Sequence, residues 1–237
     1  MGDVPLRLEE RSAGNESVAS VPVRRATSIW LRVGYWVSVV IAIAAVVRRM
    51  FAIASPPRSL PPQLAGLDAL FASHAALTLA HILTALAFVL LTPFFVFRSP
   101  GKSPWAERLL FPLGAMVGLT AYAMTTVASI GGWTERSAIL LFNTLFLFSL
   151  FRAWRFWQRG EAALERRWML RAIIVLLGIA TTRPVVGLFF ATSPLTHLTP
   201  SQFFGIAFWI GFSINTIDVE LWLRSGDRSH SNADADL

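Results

Sequence analysis

The chain has 237 residues, 54% of them hydrophobic and only 15% charged, with a mean hydropathy of +0.56 and a formal net charge of +7. A soluble domain carries roughly a quarter charged residues, so this is the composition of a membrane protein. The chain has no cysteine, which excludes disulfides, thiolate nucleophiles, cysteine-held zinc and iron–sulfur clusters.

Residues 1–28 are polar, of mixed charge and without an apolar period, and are expected to be a disordered cytoplasmic segment. A signal peptide is a competing reading, with Arg24 and Arg25 as its basic head and Ala52-Ile53-Ala54 as its cleavage site. The apolar stretch between them, about 19 residues, is longer than the usual signal core. A twin-arginine address fits less well, because Arg24-Arg25 is followed by Ala26-Thr27-Ser28 rather than by an apolar pair. The bilayer core is about 30 Å thick and takes about 20 apolar residues per helix. Six runs meet that length, at about 29–47, 76–97, 109–130, 137–154, 172–192 and 203–223. They are continuous rather than alternating and too long for barrel strands. The expected fold is an all-α bundle of six transmembrane helices spanning 29–224.

The connections have their own character. Residues 55–63 contain Pro56, Pro57, Pro61 and Pro62 and read as a stiff external loop that cannot be helical. From Leu64 an amphipathic stretch, LAGLDALFASHA, leads into the second span. Ser99-Pro100-Gly101-Lys102 reads as a turn. The stretch 152–171, RAWRFWQRGEAALERRWMLR, suits a segment lying in the headgroup region. There Arg166, Arg167, Arg171 and Trp168 would meet anionic phospholipid phosphates. The loop 193–202 is uncharged, and 225–237 is expected to be a disordered cytoplasmic tail.

With the N-terminus in the cytoplasm, 15 of the 21 Lys and Arg fall inside; only Arg48, Arg49, Arg58 and Arg136 fall outside, and Arg32 and Arg183 lie within spans. That bias places both termini in the cytoplasm, and it draws the protein to anionic lipid rather than to nucleic acid. Trp30, Trp105, Trp154, Trp157, Trp168 and Trp222 map to the same interface.

Glu165-Arg166-Arg167-Trp168-Met169-Leu170-Arg171 and Asn215-Thr216-Ile217-Asp218-Val219-Glu220 carry a family likeness. The chain resembles the bacterial membrane proteins catalogued as domain of unknown function 2306, over about 76–224. The resemblance implies a polytopic protein of the inner membrane and nominates His81, Arg166 to Met169, Arg183, Asn215 and Glu220. The family's two His-Arg pairs are replaced here by Glu107-Arg108 and Glu165-Arg166. No activity comes with the likeness.

Three constellations hold chemistry. Arg183 stands inside an apolar run, where an unpaired guanidinium costs several kcal/mol. Counted from the cytoplasmic end, it lies at a depth of about 17 Å, against about 12 Å for Asn215, 8 Å for Asp218 and 5 Å for Glu220. A snorkelling arginine closes such gaps, so Arg183, Asn215, Asp218 and Glu220 form the expected buried polar cluster. It reads either as a ligand site or as an interhelical strut beside a kink at Pro184. The second constellation is His74 and His81, about 10 Å apart on one helix face. Met124 at the depth of His81 completes a candidate haem b site, and His74 with His197 a candidate metal site. The third is Gly114-x-x-x-Gly118, a close-packing face for a neighbouring helix or for a second copy of the chain.

The functional expectation is a small-molecule or lipid binding, transport-like role around the polar cluster. The alternative is haem b electron transfer across the membrane through His81. The third reading is a membrane-embedded enzyme in which Asp218 or Glu220 protonates an apolar substrate.

Overall fold

The computed structural model describes residues 29–54, 62–97 and 104–235, and every element among them is an α-helix. They are α1 (Ile29–Ala54), α2 (Pro62–Ser73), α3 (Ala75–Val96), α4 (Pro104–Val127), α5 (Gly132–Gln158), α6 (Ala162–Thr196) and α7 (Pro200–Ala235). All but the short α2 are long and apolar enough to cross a membrane, six in total. The expected disordered segment 1–28 and most of the proline-rich stretch lie outside the described residues.

Four expectations need correction. The proline-rich stretch 55–63 is helical from Pro62, because proline fits the first turn, where its missing N–H would have no helical acceptor. The stretch 152–171 is not one separate segment between two spans. α5 runs on to Gln158 and α6 begins at Ala162, so only 159–161 connects them. Its Ala, Leu, Glu and Arg residues are strong helix formers, and Gly160, at φ 73°, makes the reversal. Residues 225–235, expected in a disordered tail, continue α7. Finally, His74 is not on the same helix as His81; it caps α3 at the junction with α2, with φ −120° and ψ 40°.

Side-chain pairs fix the topology. Tyr35 near the start of α1 shares a 2.6 Å hydrogen bond with Thr92 near the end of α3. His81 Nδ1 lies 2.9 Å from Thr120 Oγ1 between α3 and α4, and Tyr122 meets Thr144 at 2.7 Å between α4 and α5. The first two pairs each join an early residue of one helix to a late residue of the other, as in antiparallel packing, and the third joins the later part of α4 to the middle of α5. α5 and α7 run parallel instead: Trp209 donates to the Thr134 carbonyl at 3.1 Å, and Phe142 packs on both Trp209 and Phe212. α1 packs against α3 and also against α6, which closes α1, α3, α4, α5 and α6 into a ring, and α7 lies on α5 and α6.

Small residues set the spacing. The Gly114 and Gly118 face receives Leu150 and Leu147 of α5, so it is used within the chain rather than offered to a second copy. α6 and α7 approach closely, so that a Cβ on Gly211 would stand 2.7 Å from the backbone nitrogen of Thr182. Thr182 cannot retreat, because its own backbone is part of α6. Gly211→Leu is therefore expected to destabilise the bundle by about 1–3 kcal/mol, read as a fall of several degrees in the thermal unfolding midpoint in detergent. Gly187, with open space around its Cα, supplies the contrast. Gly187→Ala should leave the midpoint unchanged or slightly raised, by at most about 1 kcal/mol.

Candidate binding cavity

The helices of this ring do not fill the space they surround. A cavity of about 430 Å³ lies between them, lined from α1 by Ala42, Ala45, Val46, Arg48 and Arg49, and from α2 by Phe71. α3 contributes Thr78, His81, Ile82, Ala85, Leu86 and Val89, α4 contributes Val117, Ala121, Met124 and Thr125, and Ala128 follows just after α4. From α5 come Glu135, Ile139, Phe142, Asn143 and Phe146, and from α7 Phe204, Phe208 and Phe212. The α6 wall is built at helical spacing, with Val175, Leu176, Ile179, Arg183, Val186 and Phe190 recurring every three or four residues. The size falls within the range of small-molecule sites, roughly 300–1,000 Å³.

Charge is confined to one end of this cavity, the end at which α1 finishes and α3 begins. Asp68 of α2 is buried and accepts from two adjacent arginines of α1, with Arg49 Nη1 at 2.5 Å and Arg48 Nη2 at 3.1 Å. Arg49 also lies 4.0 Å over the ring of Phe71, a cation–π contact that helps to hold α2 in place. Glu135 turns back from the first turn of α5, and its Oε2 accepts from the backbone N–H of Ile130 at 2.7 Å and of Gly131 at 2.5 Å. These N–H groups precede the helix and have no helical acceptor, so the carboxylate acts as a cap.

Arg183 is the exception. Its side chain lines the cavity and keeps accessible surface there. Among the described residues it makes no hydrogen bond and no salt bridge. The charges that act on it are Arg48 and Arg49, which repel it, and Glu135, which attracts it. Three guanidiniums thus face two carboxylates, and both carboxylates already have their own partners.

The expected cluster of Arg183, Asn215, Asp218 and Glu220 is not assembled. Asn215 accepts from Thr181 at 2.6 Å and donates to the Ile174 carbonyl at 3.0 Å, which ties α7 to α6. Glu220 is held by Arg171 in a two-pronged pair, at 2.5 Å from Nε and 3.2 Å from Nη2. Asp218 is exposed. None of the three lines the cavity. Depth was compatible with a meeting, but direction around the helix was not. Gly178, Thr181 and Thr182 take the face of α6 that meets α7, and Arg183, next in sequence, is turned about 100° away from Thr182.

The histidines separate as well. His81 and Met124 do border the same cavity, with His81 bonded to Thr120 and the Met124 sulfur 3.9 Å from Thr78 Oγ1. His74 bonds Ser73 at 3.0 Å, and His197 ends α6 in the left-handed conformation with its side chain exposed. No three His, Asp or Glu side chains come together as metal ligands among the described residues.

The residues expected at lipid headgroups have protein partners. Arg166 donates to the carbonyls of Phe95 and Val96, at 3.2 and 2.8 Å, and so caps the end of α3. Trp168 lies under the guanidiniums of Arg152 and Arg171, at 5.0 and 4.5 Å. Arg167 is half-buried and adds to the positive surroundings of Glu220.

Sequence reasoning missed Arg48, Arg49, Asp68 and Glu135 as site residues. The adjacent arginines at the end of an apolar run were counted as external loop charges. A signal for Glu135 was present: a carboxylate in the first turn after Gly131-Gly132. No family model, no curated protein and no solved structure matches the chain. The arrangement of Asp68 between two arginines predicts an unequal response to truncation. Asp68→Ala leaves Arg49, which is largely buried, without its anion and is expected to cost about 3–5 kcal/mol. Arg48, half exposed at 50%, should cost under about 1 kcal/mol on Arg48→Ala. Thermal unfolding of both variants in the same detergent checks the order.

Proposed function

We propose that the chain is a multi-pass protein of a bacterial inner membrane, with both termini cytoplasmic, that binds a small molecule or lipid inside the bundle in a transport-like role. The observation that carries this reading is Arg183, a guanidinium with five donors that lines the cavity and has no protein acceptor among the described residues. Intramembrane charges of this kind mark ligand or ion pathways. The bias of Lys and Arg supports the orientation, which puts the charged end of the cavity toward the outer side.

The reading moves the functional centre away from Asp218 and Glu220. Neither borders the cavity, and Glu220 is committed to Arg171, so the cavity lends no support to a proton-donating role for these two carboxylates. A haem reading rests on His81 and Met124, which face the same space.

Occupancy is the direct test. Protein purified in mild detergent is expected to carry a small molecule at near-stoichiometric amount, recovered by organic extraction and mass spectrometry. Ala85→Trp, which fills the cavity from α3, should return the same protein yield without that molecule. Equal recovery from both proteins would place the molecule elsewhere and end the cavity reading. The visible spectrum of the same preparation, before and after dithionite, is expected to show no Soret band. A band that shifts on reduction and weakens in His81→Ala would establish the haem reading instead.

A further inference from the structure

We infer that the cavity takes a single-chain anionic amphiphile, its acidic head on Arg183 and its apolar tail running toward the middle of the bundle. This rests on the cavity being a binding site and adds the class of its ligand.

The head is assigned by charge. Asp68 is occupied by Arg48 and Arg49, and Glu135 by two backbone N–H groups. One positive charge is left over, on a side chain whose planar fork matches a carboxylate or phosphate. A cation would meet three guanidiniums at this end, and a neutral head would leave the excess charge uncompensated in a medium where that is costly. An anion answers both. His81 and Asn143 lie deeper and already have partners in Thr120 and the Gly118 carbonyl, so they place no second charge farther in.

The tail is assigned by the walls. Beyond Arg183 the lining from α6 and α7 is Leu176, Ile179, Phe208 and Phe212, and from the facing helices Val89, Val117 and Phe146. From Arg183 to Val175 along α6 is about 12 Å, the reach of an extended chain of about ten carbons. A second chain would double the apolar volume, and about 430 Å³ does not provide for it.

The test is ligand-dependent thermal stabilisation of the full chain in a maltoside detergent, with four ten-carbon probes: decanoate, decyl phosphate, decanol and decyltrimethylammonium. At least one anion should raise the unfolding midpoint with concentration, while the alcohol and the ammonium do not. If decanoate is the tighter, the source is a free fatty acid; if decyl phosphate is, it is a phosphorylated lipid. Arg183→Met should weaken the anion about ten- to hundredfold, as loss of a charge-assisted contact does, and Arg183→Lys should restore part of it. Should Arg183→Met fail to fold, Arg183→Lys still reads the inference, through a loss of affinity without loss of charge.

Stabilisation by all four probes alike, abolished by Ala85→Trp, would overturn the anionic assignment and leave the cavity as a binding site. Anion binding unchanged within twofold in Arg183→Met would also overturn it. No stabilisation by any probe, in a protein that carries no extractable molecule either, would remove the cavity reading itself.

Discussion

Hydrocarbon offers no hydrogen bonds, and that lack organises the interior of this bundle. Every polar group carried into the apolar segments has to find its partner within the protein. Thr120, Thr125, Thr144 and Thr182 turn their hydroxyls back to carbonyls of their own helices. Asn143 and Asn215 donate to carbonyls of neighbouring helices. Arg166 covers two carbonyls at the end of α3, where the helix has run out of donors. Ser149 Oγ and Glu165 Oε1 are buried without a partner, and both lie away from the cavity; nothing in the structure explains them. Arg183 differs from all of these in having open space before it.

The same rule explains why the charges are gathered rather than scattered. An arginine at the end of an apolar helix can reach water by extending its stem. Arg48 does this in part, and Arg49 is instead taken inward to Asp68 and the ring of Phe71. Asp68 serves two purposes in consequence. It balances two guanidiniums, and it ties α2 to the end of α1, so that a helix of only twelve residues is held against the bundle where apolar burial alone would hold it weakly. At the other end Arg171, Glu220 and Trp168 form a comparable knot that is wetter and does not border the cavity.

The sequence spelled out the spanning helices because each is a long apolar run, and such runs need only length to be read. Their ends were less legible. The arginines and tryptophans of 152–171 suit a membrane surface and a helix equally well, and composition does not separate the two. Pro62 looked like part of a helix-free loop, although proline in a first turn starts a helix as readily as it prevents one. The site was harder to read still. Arg183 was recognisable from its placement alone, but its neighbours depended on direction around α6, which depth along the axis does not report. Gly178 gave the missing clue. A small residue four positions before Thr182 marks the face that meets α7, and therefore turns Arg183 elsewhere.

The three-residue reversal at Gly160 has a consequence for the order in which this protein takes shape. α5 and α6 are joined so closely that they meet as a hairpin, with contacts local in sequence and quick to form. α7 is made after them and packs chiefly on that pair. Phe204, Phe208 and Phe212 therefore join the cavity wall after the α5–α6 pair is made. Until they do, that wall lacks its three phenylalanines, and Arg183 is less completely surrounded than in the folded bundle. The energetic cost of surrounding a lone guanidinium is thus deferred until α7 docks, when the α5–α6 hairpin is already in place to bear it.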